Sequence, residues 1–235
     1  MKAVIMAGGK GTRLAPLTDH APKPLMPILD KPVLRYIIDL LKKHDITDIS
    51  VTLGYMANKI IQAFGDGKEL GIHLHYSVEK EPLGTAGSVK AAANDFDEDF
   101  LVISGDDYTD FDLTELMEFH KSHGKIVTIA ATRVKDPSEY GVMLLNSAGK
   151  VRAFIEKPQD PISNVVSTGI YVFKKDILKK IPDGFQDFAR NVFPKIPGQI
   201  YAKIMRGYWS DIGTLLSYYS TNYHVAESAM LAVKP

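Results

Sequence analysis

The chain has 235 residues, 45% hydrophobic and 24% charged, with 28 Lys+Arg balanced by 28 Asp+Glu. Zero formal net charge argues against a broad nucleic-acid or anionic-membrane surface, though not against a local phosphate site. There is no cysteine, which excludes disulfides and thiolate metal sites, and the absence of a signal-peptide layout or bilayer-length apolar run makes a cytoplasmic protein the expectation.

Taken in chain order, strand-like runs alternate with helical spacing. Lys2–Ala7 reads as a strand, and Pro32 sits where a helix N1 proline belongs, ahead of a helix over Val33–His44. Strands over Ile49–Leu53, Ile72–Val78, Phe100–Ser104 and Ile126–Thr132 are separated by helices over Ala57–Phe64, Thr85–Asn94 and Leu113–Ser122. Asn146–Gly149 marks a hairpin between Val142–Leu145 and Val151–Glu156. Val165–Phe173 and Ile200–Met205 are further strands, Asp176–Lys180 a short helix and Leu215–Ser228 a closing helix. This alternation predicts an α/β, doubly wound, mainly parallel sheet. No linker or repeat divides it, so one domain over residues 1–235 is expected, its later half inserting β-hairpins over the strand ends.

The first strand runs into Gly8-Gly9-Lys10-Gly11-Thr12-Arg13. Glycines let backbone N–H groups face an anion without Cβ obstruction, although a tight turn with no ligand would use them too. The order does not match a Walker A loop, and the dinucleotide fingerprint has Leu14 in place of its third glycine. A long loop with Ala21-Pro22-Lys23-Pro24 follows before the helix, and loops of that length are usually functional.

The stretch "MAGGKGTRLAPLTDHAPKPLMPI" resembles the signature of the sugar-1-phosphate nucleotidyltransferases. The resemblance extends through "EPLGTAGSV", "ISGDD", "EYGVM", "FIEKP", "STGIYVF" and "GYWSDIGT", nearly the whole chain. It implies a Rossmann-like fold with a mixed, mainly parallel sheet, and Mg2+-dependent attack of a sugar 1-phosphate on an NTP α-phosphate. A phosphomonoester with a second pKa of about 6 is already largely ionised, so no general base is needed. By resemblance, Gly8, Gly9, Lys10, Gly11 and Thr12 cradle the nucleotide phosphates. Arg13 and Lys23 are the catalytic cations, and Asp106 and Asp211 hold Mg2+. Read without the family, Asp106 is equally a turn residue and Asp211 a cap for the helix after Gly213. Asp107 and Asp110 read as structural, and Asp110 lies in the approach to the Leu113 helix.

The base is expected near Glu79–Gly87, with Pro82, Gly84 and Thr85 shaping its pocket. Ionised Glu79 would accept both adjacent guanine donors, which favours GTP over UTP or dTTP; a solvent-facing Glu79 is the alternative. Tyr140, Gly141, Glu156, Lys157, Thr168 and Gly169 resemble the sugar-phosphate clamp, Gly141 letting backbone approach the sugar. The closing segments look most like the mannose-1-phosphate guanylyltransferase group. Uridylyl or thymidylyl transfer to glucose 1-phosphate, a heptose-1-phosphate guanylyltransferase and a non-catalytic sugar-nucleotide regulator stay open. A nicotinamide oxidoreductase is disfavoured by the glycine pattern. The expected partners are NTP and sugar 1-phosphate, not nucleic acid or membrane, with a homo-oligomer left open. His73 with His75 and His120 with His123 lack a third ligand and read as non-metal residues. Many relatives continue into a β-helix of hexapeptide repeats or a second enzyme domain; this sequence holds neither, and both a naturally short member and the catalytic part of something longer stay open.

Overall fold

The computed structural model describes residues 1–232. Its strands are β1 (Lys2–Ala7), β2 (Pro27–Ile28), β3 (Lys31–Pro32), β4 (Asp48–Leu53), β5 (His73–Val78), β6 (Phe100–Ser104), β7 (Asp107–Thr109), β8 (Val127–Arg133), β9 (Gly141–Leu145), β10 (Val151–Glu156), β11 (Val165–Phe173), β12 (Ile200–Ile204) and β13 (Trp209–Asp211). The helices are α1 (Val33–Lys43), α2 (Ala57–Phe64), α3 (Gly84–Ala92), α4 (Leu113–His123) and α5 (Leu215–Ala232). Nine strands form one mixed sheet with the path β10-β9-β11-β6-β1-β4-β5, while β8 joins the other side of β11 and β12 joins β8. Strands β6, β1, β4 and β5 are parallel, and β11 runs against its neighbours.

Period-two alternation in β1 explains the two cores. Ala3, Ile5 and Ala7 join α1 residues Leu34, Ile37, Ile38 and Leu41 in one cluster, whereas Val4 joins Ala86 and Val89 of α3 in the other. Each fully buried Ile or Leu contributes about 1.5–3 kcal/mol relative to exposure. A third cluster, around Leu14, Ile28, Ile212 and Val225, locks the loop after β1 against β13 and α5.

Several expectations shift. Helix α1 begins at Val33 and Pro32 is its N-cap, because Pro32 pairs with Pro27 in the β2–β3 ladder. The short helix expected over Asp176–Lys180 forms as a 3-10 helix over Lys175–Lys180, and α5 extends to Ala232. The Asn146 hairpin forms, but β9 joins β11 and so widens the main sheet. The ribbon near the site is instead β7 with β13, paired over about a hundred residues of sequence, so no local turn announces it. Asp112 caps α4, accepting from Thr114 and Glu115 N–H at 2.9 and 3.1 Å, while Asp110 accepts from Tyr208 N–H at 2.6 Å. His120 Nδ1 and His123 Nε2 each lie 2.7 Å from Thr128 Oγ1. No helix among the described residues is long and apolar enough to cross a membrane.

Candidate active site

A cleft of about 450 Å³ opens at the carboxyl ends of the parallel strands, where open α/β sheets bind ligands. Gly8, Gly9, Gly11, Thr12, Arg13, Lys23, Glu79, Pro82, Gly84, Thr85 and Asp106 all line it. Sequence distance is removed by strand order: β1, β4, β5 and β6 deliver residues 7–13, Thr52, Glu79 and Ser104–Asp106 to one edge. The N–H groups of Gly9, Lys10 and Gly11 take no partner among the described residues, leaving donors for an anion. Lys10 itself is exposed and is not part of the lining. The long loop is not structureless: residues 12–14, 17–19 and 23–25 form successive 3-10 turns.

The last of these turns buries Lys23, whose side chain is 10% exposed and paired with Asp106. The Ile212 N–H donates to the Asp106 carbonyl at 3.0 Å, and Asp107 stands opposite Asp211 in the ribbon, so the acidic residues converge through backbone pairing. Burial first, then the Asp106 charge, holds the Asp211 carboxyl above its usual range; Lys23, Arg13 and the Tyr140 hydroxyl oppose that. Asp211 therefore does not cap α5, whose first turn is closed by Thr214 and Ser217. Arg13 Nη2 lies 3.9 Å from Asp211 Oδ2. Asp107 is 1% exposed with Oδ2 unpartnered, and burial followed by Asp106 and Asp211 raises its carboxyl strongly. It does not line the cleft.

At the opposite wall Glu79 Oε2 accepts from Leu83 N–H at 3.1 Å, while Oε1 lies toward Gly8. Gly84 and Thr85 line the cleft, but their surroundings show a further reason for those residues. Gly84 has φ +70°, and a Cβ there would lie 2.4 Å from the Gln186 carbonyl oxygen. The Thr85 hydroxyl donates to Asp187 Oδ2 at 3.0 Å and accepts from Phe188 N–H at 3.0 Å. Both residues thus fasten the segment around Gln186 over the start of α3, a long-range contact with no local sequence signal.

Arg13 also connects to the second half. Its Nη1 lies 3.7 Å from Glu139 Oε2, and Lys157 Nζ lies 3.8 Å from the same oxygen. Sequence reasoning had not singled out Glu139; only its place before Tyr140 could have drawn attention to it. The Tyr140 hydroxyl is 3.5 Å from Asp211 Oδ1, and its pKa is pushed up to about 12 by burial and then by Asp211. Burial, then Asp187, raises Glu156, with Lys157 and Arg190 opposing. Gly141 also has a packing reason: a Cβ would lie 2.4 Å from Phe154 Cζ. Thr168 does not present its side chain to the cleft, because it is 1% exposed and its hydroxyl donates to the Ala130 carbonyl at 2.8 Å. Gly169 packs against Ser104 and Asp107: a Cβ there would lie 2.7 Å from Ser104 Oγ and 3.4 Å from Asp107 Oδ2.

Two of the acidic residues suit a small divalent cation. Asp106 and Asp211 offer hard carboxylate oxygens, and the upward push on Asp211 is relieved by added positive charge. Mg2+ needs only one or two carboxylates when phosphate and water complete its shell.

The nucleotidyl transferase family model matches residues 2–228. The mannose-1-phosphate guanyltransferase beta-A of Xenopus laevis is 39% identical over 220 residues, covering 91% of this chain and 61% of the relative. A UTP–glucose-1-phosphate uridylyltransferase of Synechocystis sp. is 36% identical over 239 residues, covering 93% and 62%. The chain thus spans about three fifths of the length of the curated relatives it matches. Among solved structures, a Bacillus anthracis protein provisionally assigned as a glucose-1-phosphate thymidylyltransferase, in complex with a sucrose, superposes with TM-score 0.86 and 28% identity over 95% of this chain and 94% of that one. HddC of Yersinia pseudotuberculosis, complexed with GMP-PN, gives TM-score 0.83 and 29% identity over 95% and 99%.

Proposed function

The chain belongs to the nucleotidyl transferase family, and from that premise we propose that it transfers a nucleotidyl group from an NTP to a sugar 1-phosphate. The observation that carries the reading is the convergence of Arg13, Lys23 and Asp106 with open backbone N–H groups in one cleft, and Asp211 beside Arg13. A phosphate oxygen of the sugar 1-phosphate attacks the α-phosphorus; the new P–O bond forms as the bond to the β-phosphate oxygen breaks, and pyrophosphate leaves. The nucleophile is ionised at neutral pH, so the chain's task is to align two anions and balance their charge. The Gly9–Gly11 amides and Arg13 bind the NTP phosphates. Lys23, held by Asp106 and shielded from water, neutralises charge where the reactants meet. Asp106 and Asp211 would hold Mg2+, which when bound supplies further charge balance at the phosphates. Tyr140, Glu156 and Lys157 orient the sugar phosphate from the other half.

For the substrates we propose GTP and mannose 1-phosphate. Glu79 supports the base choice, since its Oε1 side remains for guanine donors beyond the Leu83 bond. The similarity to guanyltransferases supports the sugar choice. The experiment is pyrophosphate release over a matrix of GTP, UTP and dTTP against mannose, glucose and heptose 1-phosphates. Release is expected to be fastest with GTP and mannose 1-phosphate, lost with EDTA and restored by Mg2+. Faster release with another pair reassigns the substrates; no release with any pair favours the regulatory reading.

A further inference from the structure

Phe185 lines the cleft, yet the residue is 64% exposed. The same segment buries its other aromatics: Phe188 and Phe193 are each 2% exposed and stack with centroids 5.6 Å apart. Phe185 is held out of that core by its backbone. Gln186 N–H donates to the Leu83 carbonyl at 2.8 Å, and the Gln186 carbonyl accepts from Ala86 and Gly87 N–H at 2.9 and 3.2 Å. These bonds place the ring against Gly84, where a Cβ would come 3.2 Å from Phe185 Cζ. The ring therefore stands at the end of the cleft that carries Glu79, on a fixed support and with its own face open.

An apolar ring left in water is stabilised when another flat apolar face covers it. Phosphates and sugar hydroxyls offer no such face; every nucleobase does, and stacking tolerates any base. We propose that Phe185 is a stacking platform for the NTP base, so that the ring supplies affinity while Glu79 discriminates between bases. The inference rests on the nucleotidyl-transfer reading and adds a positioning residue to it.

The test is calorimetric binding to the whole chain of GTP, UTP, inorganic tripolyphosphate and mannose 1-phosphate, with Phe185→Ala and Phe185→Trp variants. Phe185→Ala is expected to bind GTP and UTP about ten- to a hundred-fold more weakly, with tripolyphosphate and mannose 1-phosphate affinity and Tm unchanged. Phe185→Trp is expected to restore nucleotide binding. Nucleotide affinity unchanged in Phe185→Ala overturns the inference alone, as does a loss confined to the sugar phosphate. An equal loss for all ligands, tripolyphosphate included, with a lowered Tm shows a structural role and also overturns it. A wild-type chain that binds neither nucleotide overturns the transferase reading, and the platform with it.

Discussion

Lys23 is a nearly buried cation beside an acidic group of three, and it pairs with Asp106. Removing it leaves Asp106, Asp107 and Asp211 with less compensation, so Lys23→Met is expected to lower turnover by about 10²–10³-fold, the scale for one preorganised charged group. Its Tm is also expected to rise more on adding Mg2+ than that of the wild type, because the ion replaces part of the missing charge. Equal Mg2+ responses, with unchanged turnover, would return Lys23 to a purely structural part. Glu79 allows a cleaner substitution than its sequence context suggested. In Glu79→Gln the amide oxygen can keep the Leu83 N–H bond, turning the amide NH2 toward the base. A donor facing a guanine donor costs about 1–3 kcal/mol, so the GTP-to-UTP ratio of kcat/KM is expected to fall about ten- to a hundred-fold. An unchanged ratio would show that Glu79 does not read the base.

Helix α3 is fixed in place by its first turn rather than by its apolar stripe alone. Gln186 approaches so closely that position 84 admits no side chain, and its φ of +70° adds a second restriction. Gly84→Ala is expected to cost about 1–2 kcal/mol in backbone strain, plus the displacement of residue 186. At about 2–4 °C per kcal/mol for a domain of this size, Tm should fall by at least several degrees. Gly184→Ala is the control, since it shares a positive φ of +84° but meets nothing within 4 Å. Equal Tm losses in the two variants would show that the Gln186 approach carries no energetic weight.

At the scale of the whole molecule, pH acts through a histidine pair that does not line the cleft, His120 buried and His123 half-buried. His120 and His123 share the Thr128 hydroxyl, and both are lowered to about 4. Burial is the main cause in each, with Lys174 adding to it for His120 and His120 itself, then Lys174 and Lys125, for His123. A depressed histidine stays neutral in the fold while the unfolded chain takes its proton near pH 6.5. The stability it contributes is complete above that pH and is lost as pH falls toward 4. Tm is therefore expected to drop between pH 7 and 4.5, and His123→Phe, which can keep the stack on Tyr201 at 4.4 Å, should shallow that drop. An unchanged slope would remove His123 from the acid response.

The sequence by itself determined the strand–helix alternation, the helical spacing of α1, and the glycine turn after β1, because each rests on periodicity or backbone freedom within a few residues. The ordered string of short segments was also sufficient to identify the family. Tertiary structure alone decided what depends on contacts between distant positions. The β7–β13 ribbon brings Asp107 opposite Asp211, and the Gln186 approach accounts for Gly84 and Thr85. Phe154 accounts for Gly141, the Ala130 carbonyl takes the Thr168 hydroxyl, and Glu139 gathers Arg13 and Lys157. None of these pairings leaves a local trace, since a glycine needed for a close approach reads the same as one needed for a turn, and a hydroxyl reads the same whether it meets a ligand or a backbone carbonyl.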